Sequence, residues 1–135
     1  ERSENNSIRQ YEWSNKTVLI VEDDLASMQY LAELINPTHM KIIKAESGEK
    51  AIEIFNTNSA IDIVLLDINL PDFNGNELVK NIKKKKPKIP VIAQSAYSML
   101  EEIKSSKKSG FDDYITKPID AKLLLSIMNK YLGRK

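Results

Sequence analysis

Five short apolar runs alternate along the chain with segments whose apolar residues recur at intervals of three and four, and this alternation constrains the fold more than anything else in the sequence. The runs are Thr17–Val21, Met40–Ala45, Ile63–Leu66, Pro90–Gln94 and the more polar Phe111–Ile115. Runs this short, bounded by turn residues, read as strands covered on both faces. The first intervening segment puts Leu25, Met28, Leu31, Ala32 and Ile35 on one helical face, with Asp24 as N-cap and Pro37 ending it. Ser47-Gly-Glu-Lys opens a second helix with Ala51, Ile52 and Phe55 inward, and Gly75 to about Lys86 forms a third with Leu78, Val79 and Ile82. A fourth carries Met99, Leu100 and Ile103. Asp120 caps a last one bearing Leu124, Ile127, Met128 and Tyr131, which Gly133 stops. Strand-helix alternation with short connections predicts an α/β fold: a doubly wound, five-stranded parallel sheet with right-handed crossovers and helices on both faces.

In open parallel sheets of this kind, chemistry collects at the carboxyl edge of the strands. The strand ends here deliver Glu22 and Asp23, Asp67, Ser95 and Lys117 to that edge. Asp67 by itself can be a nucleophile, a metal ligand or a turn former, since Asn, Pro and Gly crowd the stretch after it. Its company decides what it is for. Three carboxylates brought together repel one another unless a cation or protons intervene. Mg2+ suits them, because it takes oxygen ligands and keeps several waters. Asp23, Asp67 and the backbone carbonyl of Asn69 would be direct ligands, with Glu22 holding a coordinated water. Lys117 adds a fixed positive charge and Ser95 a hydroxyl donor, the electrostatic parts needed for phosphoryl transfer to Asp67.

Four segments together, VLIVEDD, LLDINLPDFNG, the Ser95-Ala96 pair and DDYITKP, make the chain resemble the receiver domain of two-component response regulators from Thr17 to about Leu132. The resemblance implies the (βα)5 flavodoxin-like receiver fold with strand order 2-1-3-4-5. It implies Asp67 as phospho-acceptor, Glu22 and Asp23 as the acidic pair and Ser95 as the hydroxyl switch residue. It further implies Tyr114 as the aromatic switch, and Lys117-Pro118 as the site lysine followed by a cis peptide. Asn69, Ala96 and Tyr97 would flank the phosphoryl group, with bulky Tyr97 restricting attacking water and lengthening the life of the aspartyl phosphate. Phosphorylation would reshape the face built from helix four, strand five and helix five, through which a phosphorylation-dependent homodimer can form. The implied partners are a histidine kinase or a histidine phosphotransfer domain, and the domain would catalyse its own phosphorylation and dephosphorylation.

Composition bounds the remaining choices. At 135 residues with 41% apolar content the chain fits one domain. A net charge of +1 provides no field of the kind that marks a nucleic-acid or membrane binder. The absence of cysteine rules out thiolate metal sites and suits a reducing, cytoplasmic setting. A flavodoxin-like FMN binder shares the layout but needs a neutral phosphate loop where this chain has Glu22, Asp23 and Asp24. A dehalogenase-type phosphatase needs a second acid where this chain has Asn69.

Residues 1–16 read as a polar linker or tail, loosely docked, with the domain occupying 17–135. Tyr11 and Trp13 are the exceptions that could hold an arm against it or against a neighbour outside this sequence. The chain opens on Glu1 rather than Met and reads as a fragment. The preferred parent is a bacterial hybrid sensor histidine kinase, a kind of protein that can be membrane-anchored, with this domain at its C-terminal end; the alternatives are a stand-alone single-domain response regulator and a phosphorylation-independent binding module. Lys83 to Lys86 with Lys88 read as a solvated helix end, His39 as a loop residue, Asp72 as a turn residue, and Asp112 and Asp113 as residues that cap or pair locally.

Overall fold

The computed structural model describes residues 11–58, 60–95 and 110–133. Five strands, β1 (Thr17–Val21), β2 (Lys41–Ala45), β3 (Ile63–Asp67), β4 (Val91–Ser95) and β5 (Asp113–Thr116), form one parallel sheet in the order β2-β1-β3-β4-β5. Four helices are described: α1 (Leu25–Ile35), α2 (Gly48–Thr57), α3 (Gly75–Lys85) and α4 (Ala121–Leu132). The helix expected around Met99, Leu100 and Ile103 lies outside the described residues.

Because successive strand residues point to opposite faces, the apolar runs build two cores. Val18, Ile20, Ile63, Leu65 and Ile92 face α1 and α4, meeting Met28, Leu31, Leu124 and Met128. Leu19, Val21, Val64, Leu66 and Ala93 face α2 and α3, meeting Ala51, Phe55, Leu78 and Ile82. Burial of each such Val, Leu, Ile, Phe or Met side chain contributes about 1.5–3 kcal/mol relative to exposure.

Local capping follows the sequence. Asp24, Ser47 and Asp120 each accept a backbone N–H three residues on, from Ser27, Lys50 and Leu123. Leu25 departs from expectation, being 70% exposed. It lies roughly 85° around the helix from the centre of the Met28, Leu31 and Ile35 stripe, outside the face that meets the sheet.

Within the tail, residues 11–16 are a correction to the reading of loose docking. Trp13 is only 5% exposed and belongs to the α1 side of the core, with Tyr11 stacked on it at a centroid distance of 5.2 Å. The Trp13 N–H donates to the Thr38 carbonyl (2.8 Å), and Lys41 N–H to the Lys16 carbonyl (3.0 Å). Glu12 also meets Nδ1 of His39, whose left-handed backbone (φ 65°) ends the short 3-10 turn Asn36–Thr38.

Three polar readings also change. Asp112 is not a local cap: its Oδ2 accepts from Lys83 Nζ (2.7 Å) and from the Val91 N–H (2.8 Å), tying the end of α3 to the start of β4. Lys83 and Lys86 are correspondingly not free in solvent, since they also donate to the carbonyls of Ile89 and Ile61. Asp72 reaches across to α2 and accepts from the N–H groups of Gly48 and Glu49 at 3.1 and 3.2 Å.

Those bonds, the Gly48 N–H first, hold the Asp72 carboxyl below its ordinary range. A carboxyl depressed by folding stabilises above its unfolded value of 3.8 and loses that contribution as the pH falls through its folded value. Asp72→Ala is therefore expected to cost about 0.5–1 kcal/mol near neutrality, at the low end for a cap because the group is exposed. In thermal melts, the gap from the parent protein should close below about pH 4. A gap that is constant down to acid pH would mean that the charge has no part in the cap.

Candidate functional site

The sheet's carboxyl edge gathers groups from four strands. Glu22 directly follows β1 and is held by a ladder bond from its N–H to the Ala45 carbonyl (3.0 Å). Asp67 is the last residue of β3, Ser95 the last of β4, and Lys117 follows β5 at once. The Lys117 N–H donates to the Ser95 carbonyl (2.8 Å), and the Lys117–Pro118 peptide is cis. Each charged group is therefore carried on a strand end fixed by the ladder.

Carboxylate oxygens of Glu22, Asp23 and Asp67 lie within 4.8 Å of one another. Glu22 is 1% exposed and Asp67 5%, whereas Asp23 faces solvent. Lys117 Nζ sits 3.1 Å from Glu22 Oε1 and 3.6 Å from Asp67 Oδ2. Asp67 Oδ1 accepts from the Asn69 N–H at 2.9 Å. Asn69 lies exposed in the turn after β3, and the Asp24 N–H donates to Glu22 Oε2 (3.2 Å).

Burial first, and then the neighbouring Asp67 charge, push the Glu22 carboxyl above its ordinary value, against the opposing pull of Lys117. Lys117 is itself raised: its partial burial works against the charge, but the bond to Glu22 and the fields of Asp67 and Glu22 prevail. One cation thus serves two buried acids with a third at the rim. The cluster lacks positive charge and is rich in hard oxygen donors.

Ser95 is buried at the same edge. Tyr114, in β5, is half-buried against the core on the α2 and α3 side. Ala96 and Tyr97 lie outside the described residues. Gly75 opens α3 where a methyl group would stand 2.7 Å from the Ile68 Cα, so the helix is seated directly against the turn that follows Asp67.

The match to the response regulator receiver domain model runs over residues 18–129. The chain belongs to the response regulator receiver family. Among curated relatives of this receiver, the polar-differentiation response regulator DivK of Brucella ovis is 32% identical over 120 residues, covering 87% of this chain and 97% of that protein. A cyclic di-GMP phosphodiesterase of Thermotoga maritima is 38% identical over 108 residues, which is 80% of the receiver but only 28% of that longer protein. In structure, the receiver is similar to the receiver domain of the Francisella response regulator 1452, with a TM-score of 0.81 and 31% identity over 89% of this chain and 98% of that one.

Site features that the sequence did not disclose are contacts between distant segments. Tyr30 Oη donates to the Ile119 carbonyl (2.8 Å), fastening α1 to the loop after Lys117. Gln94 is the polar residue that ends the Pro90–Gln94 run, yet it is fully buried. No helix among the described residues is long and apolar enough to cross a membrane.

Proposed function

We propose that this receiver accepts a phosphoryl group on Asp67 from a phosphohistidine of a histidine kinase or histidine phosphotransfer domain, as one step of a phosphorelay. The observation that carries the reading is the meeting of three acid oxygens within 4.8 Å beside a single lysine. That donor set fits Mg2+, a hard cation that takes carboxylate oxygens and retains water. Asp23, Asp67 and the Asn69 carbonyl would hold the ion, with Glu22 acting through a coordinated water. When bound, Mg2+ supplies positive charge to phosphoryl oxygens.

The chain's own groups perform the rest. An Asp67 carboxylate oxygen attacks phosphorus in line, the P–O bond forms as the P–N bond to imidazole breaks, and the leaving imidazole takes a proton. Lys117 neutralises charge on the transferred oxygens. Ser95 then donates its hydroxyl to the new anion, and Tyr114 moves inward, changing the face that includes β5 and α4. A homodimer through that face is the expected readout.

The test is intact mass after incubation with a small phosphodonor such as phosphoramidate. One phosphoryl adduct is expected, lost on chelation of Mg2+ and lost in Asp67→Ala. An adduct that persists in Asp67→Ala would overturn the assignment, and absence of any adduct would leave the binding-module reading in its place.

For the parent protein, the reading remains the C-terminal receiver of a hybrid sensor histidine kinase. The second reading is a stand-alone regulator; the chain covers 97% of the response regulator DivK and 28% of the longer cyclic di-GMP phosphodiesterase. The sequence of the gene on both sides of this segment distinguishes them.

A further inference from the structure

The sheet holds Lys117 from one side. Its N–H donates to the Ser95 carbonyl (2.8 Å), after which the chain leaves β5 through Pro118, which has no N–H to offer. It then reaches the buried Ile119, and Asp120 caps α4. The anchor on this far side of the lysine is the bond from Tyr30 Oη to the Ile119 carbonyl (2.8 Å). Ile119 also packs in the core shared with α1 and α4. Beside Lys117 itself the packing is open: a cavity of about 250 Å3 lies between α1 and the loop, bordered by Ala26, Tyr30 and Leu31, by Gln94, and by Lys117 and Pro118. Side-chain packing alone therefore leaves the lysine room to shift.

The helix that makes this bond is also the one that follows the acids. Leu25 opens α1 directly after Glu22, Asp23 and the N-cap Asp24, and Tyr30 stands in its second turn. One helix thus spans from the acid pair to the loop of the lysine. Lys117 Nζ is shared unequally, 3.1 Å from Glu22 and 3.6 Å from Asp67, so a small displacement of the loop decides which acid it favours. A charge meant to meet an anion on Asp67 acts best when it is already in place, because its attraction falls with distance and moving it during transfer is costly.

We propose that Tyr30 is a positioning residue for phosphoryl transfer: its hydroxyl holds the Ile119 carbonyl and so sets Lys117 at the distance from which the ammonium meets an anion on Asp67. This role rests on the reading of Asp67 as the phosphoryl acceptor. Tyr30 acts only through the lysine.

The test is Tyr30→Phe, which keeps the ring and removes the donor. The full chain, labelled with 15N, is titrated with Mg2+ and then, at saturating Mg2+, with beryllofluoride, a tetrahedral stand-in for a phosphoryl group on a carboxylate. The variant should bind beryllofluoride about three- to tenfold more weakly, the worth of one ordinary hydrogen bond, while its Kd for Mg2+ stays within about twofold of the parent protein's. In Lys117→Met, adding Tyr30→Phe should change the anion's Kd by less than about twofold, because the group through which it acts is gone. Unchanged anion affinity in Tyr30→Phe, an equal loss of Mg2+ affinity, or the full loss still added in Lys117→Met would each overturn the positioning role. The phosphoramidate adduct on Asp67 is measured alongside: its absence in the parent protein would overturn the acceptor reading and this role with it.

Discussion

Urea unfolding of Trp13→Ala is expected to show a loss of about 3–5 kcal/mol, the range for truncating a large aromatic side chain in a core. That is a large part of the 5–15 kcal/mol typical of a domain. The reason is its position: Trp13 is 5% exposed, belongs to the buried cluster that also holds Ile35, Met40 and Val18 and Ile20 of β1, and carries Tyr11 on its ring. Truncation leaves a cavity that the Thr38 bond alone cannot close. The chain has one tryptophan, so in the parent protein its fluorescence should change in the same transition as the backbone signal. Early loss of fluorescence, ahead of global unfolding, together with a cost under about 1 kcal/mol, would mean that the arm docks weakly.

Lys117→Met should cost about 2–3 kcal/mol in chelator-treated buffer. Removing one partner of a fully buried ion pair costs about 3–5 kcal/mol because the other charge is left uncompensated. Lys117 is partly exposed, with 26% of its side chain in solvent, which places the expectation below that range. Its loss strands Glu22 and Asp67 together, both nearly closed to water. Adding Glu22→Gln should therefore recover much of the deficit, a coupling that a double-mutant cycle measures directly. Mg2+ should also narrow the gap by mass action on the folded state. A cycle with no coupling would mean that the acids relax into solvent.

The architecture was legible because it rests on local periodicity. Ile63 to Leu66 and the stripe of Leu78, Val79 and Ile82 announce strand and helix without reference to distant partners, and Asp24, Ser47 and Asp120 cap as their positions suggest. Glu22, Asp67 and Lys117 could be placed at one edge because each stands at the carboxyl end of a strand. Leu25 misled because a spacing of three satisfies a helical pattern while still rotating a residue off the buried face. Asp72, Asp112 and Gln94 were opaque, and the docking of Trp13 was left open, for one shared reason. Their roles are set by neighbours more than twenty residues away: Thr38, Gly48, Val91 and the α1 wall.

The bonds from Asp72 to α2 bear on how the receiver answers a change of charge. The turn after β3 is moored at one end by Asp67 to the Asn69 N–H, and at the other by Asp72 to the first turn of α2. Between them Phe73 fills the space a side chain at Gly48 would need, and Gly75 is seated on Ile68. This side of the site is a fixed wall, braced against a neighbouring helix rather than free to follow the acceptor. On the proposed reading, new negative charge at Asp67 meets a braced turn on this side, and the groups left to respond lie across the sheet, at Ser95, Lys117 and β5. The brace is an aspartate five residues past the proposed acceptor.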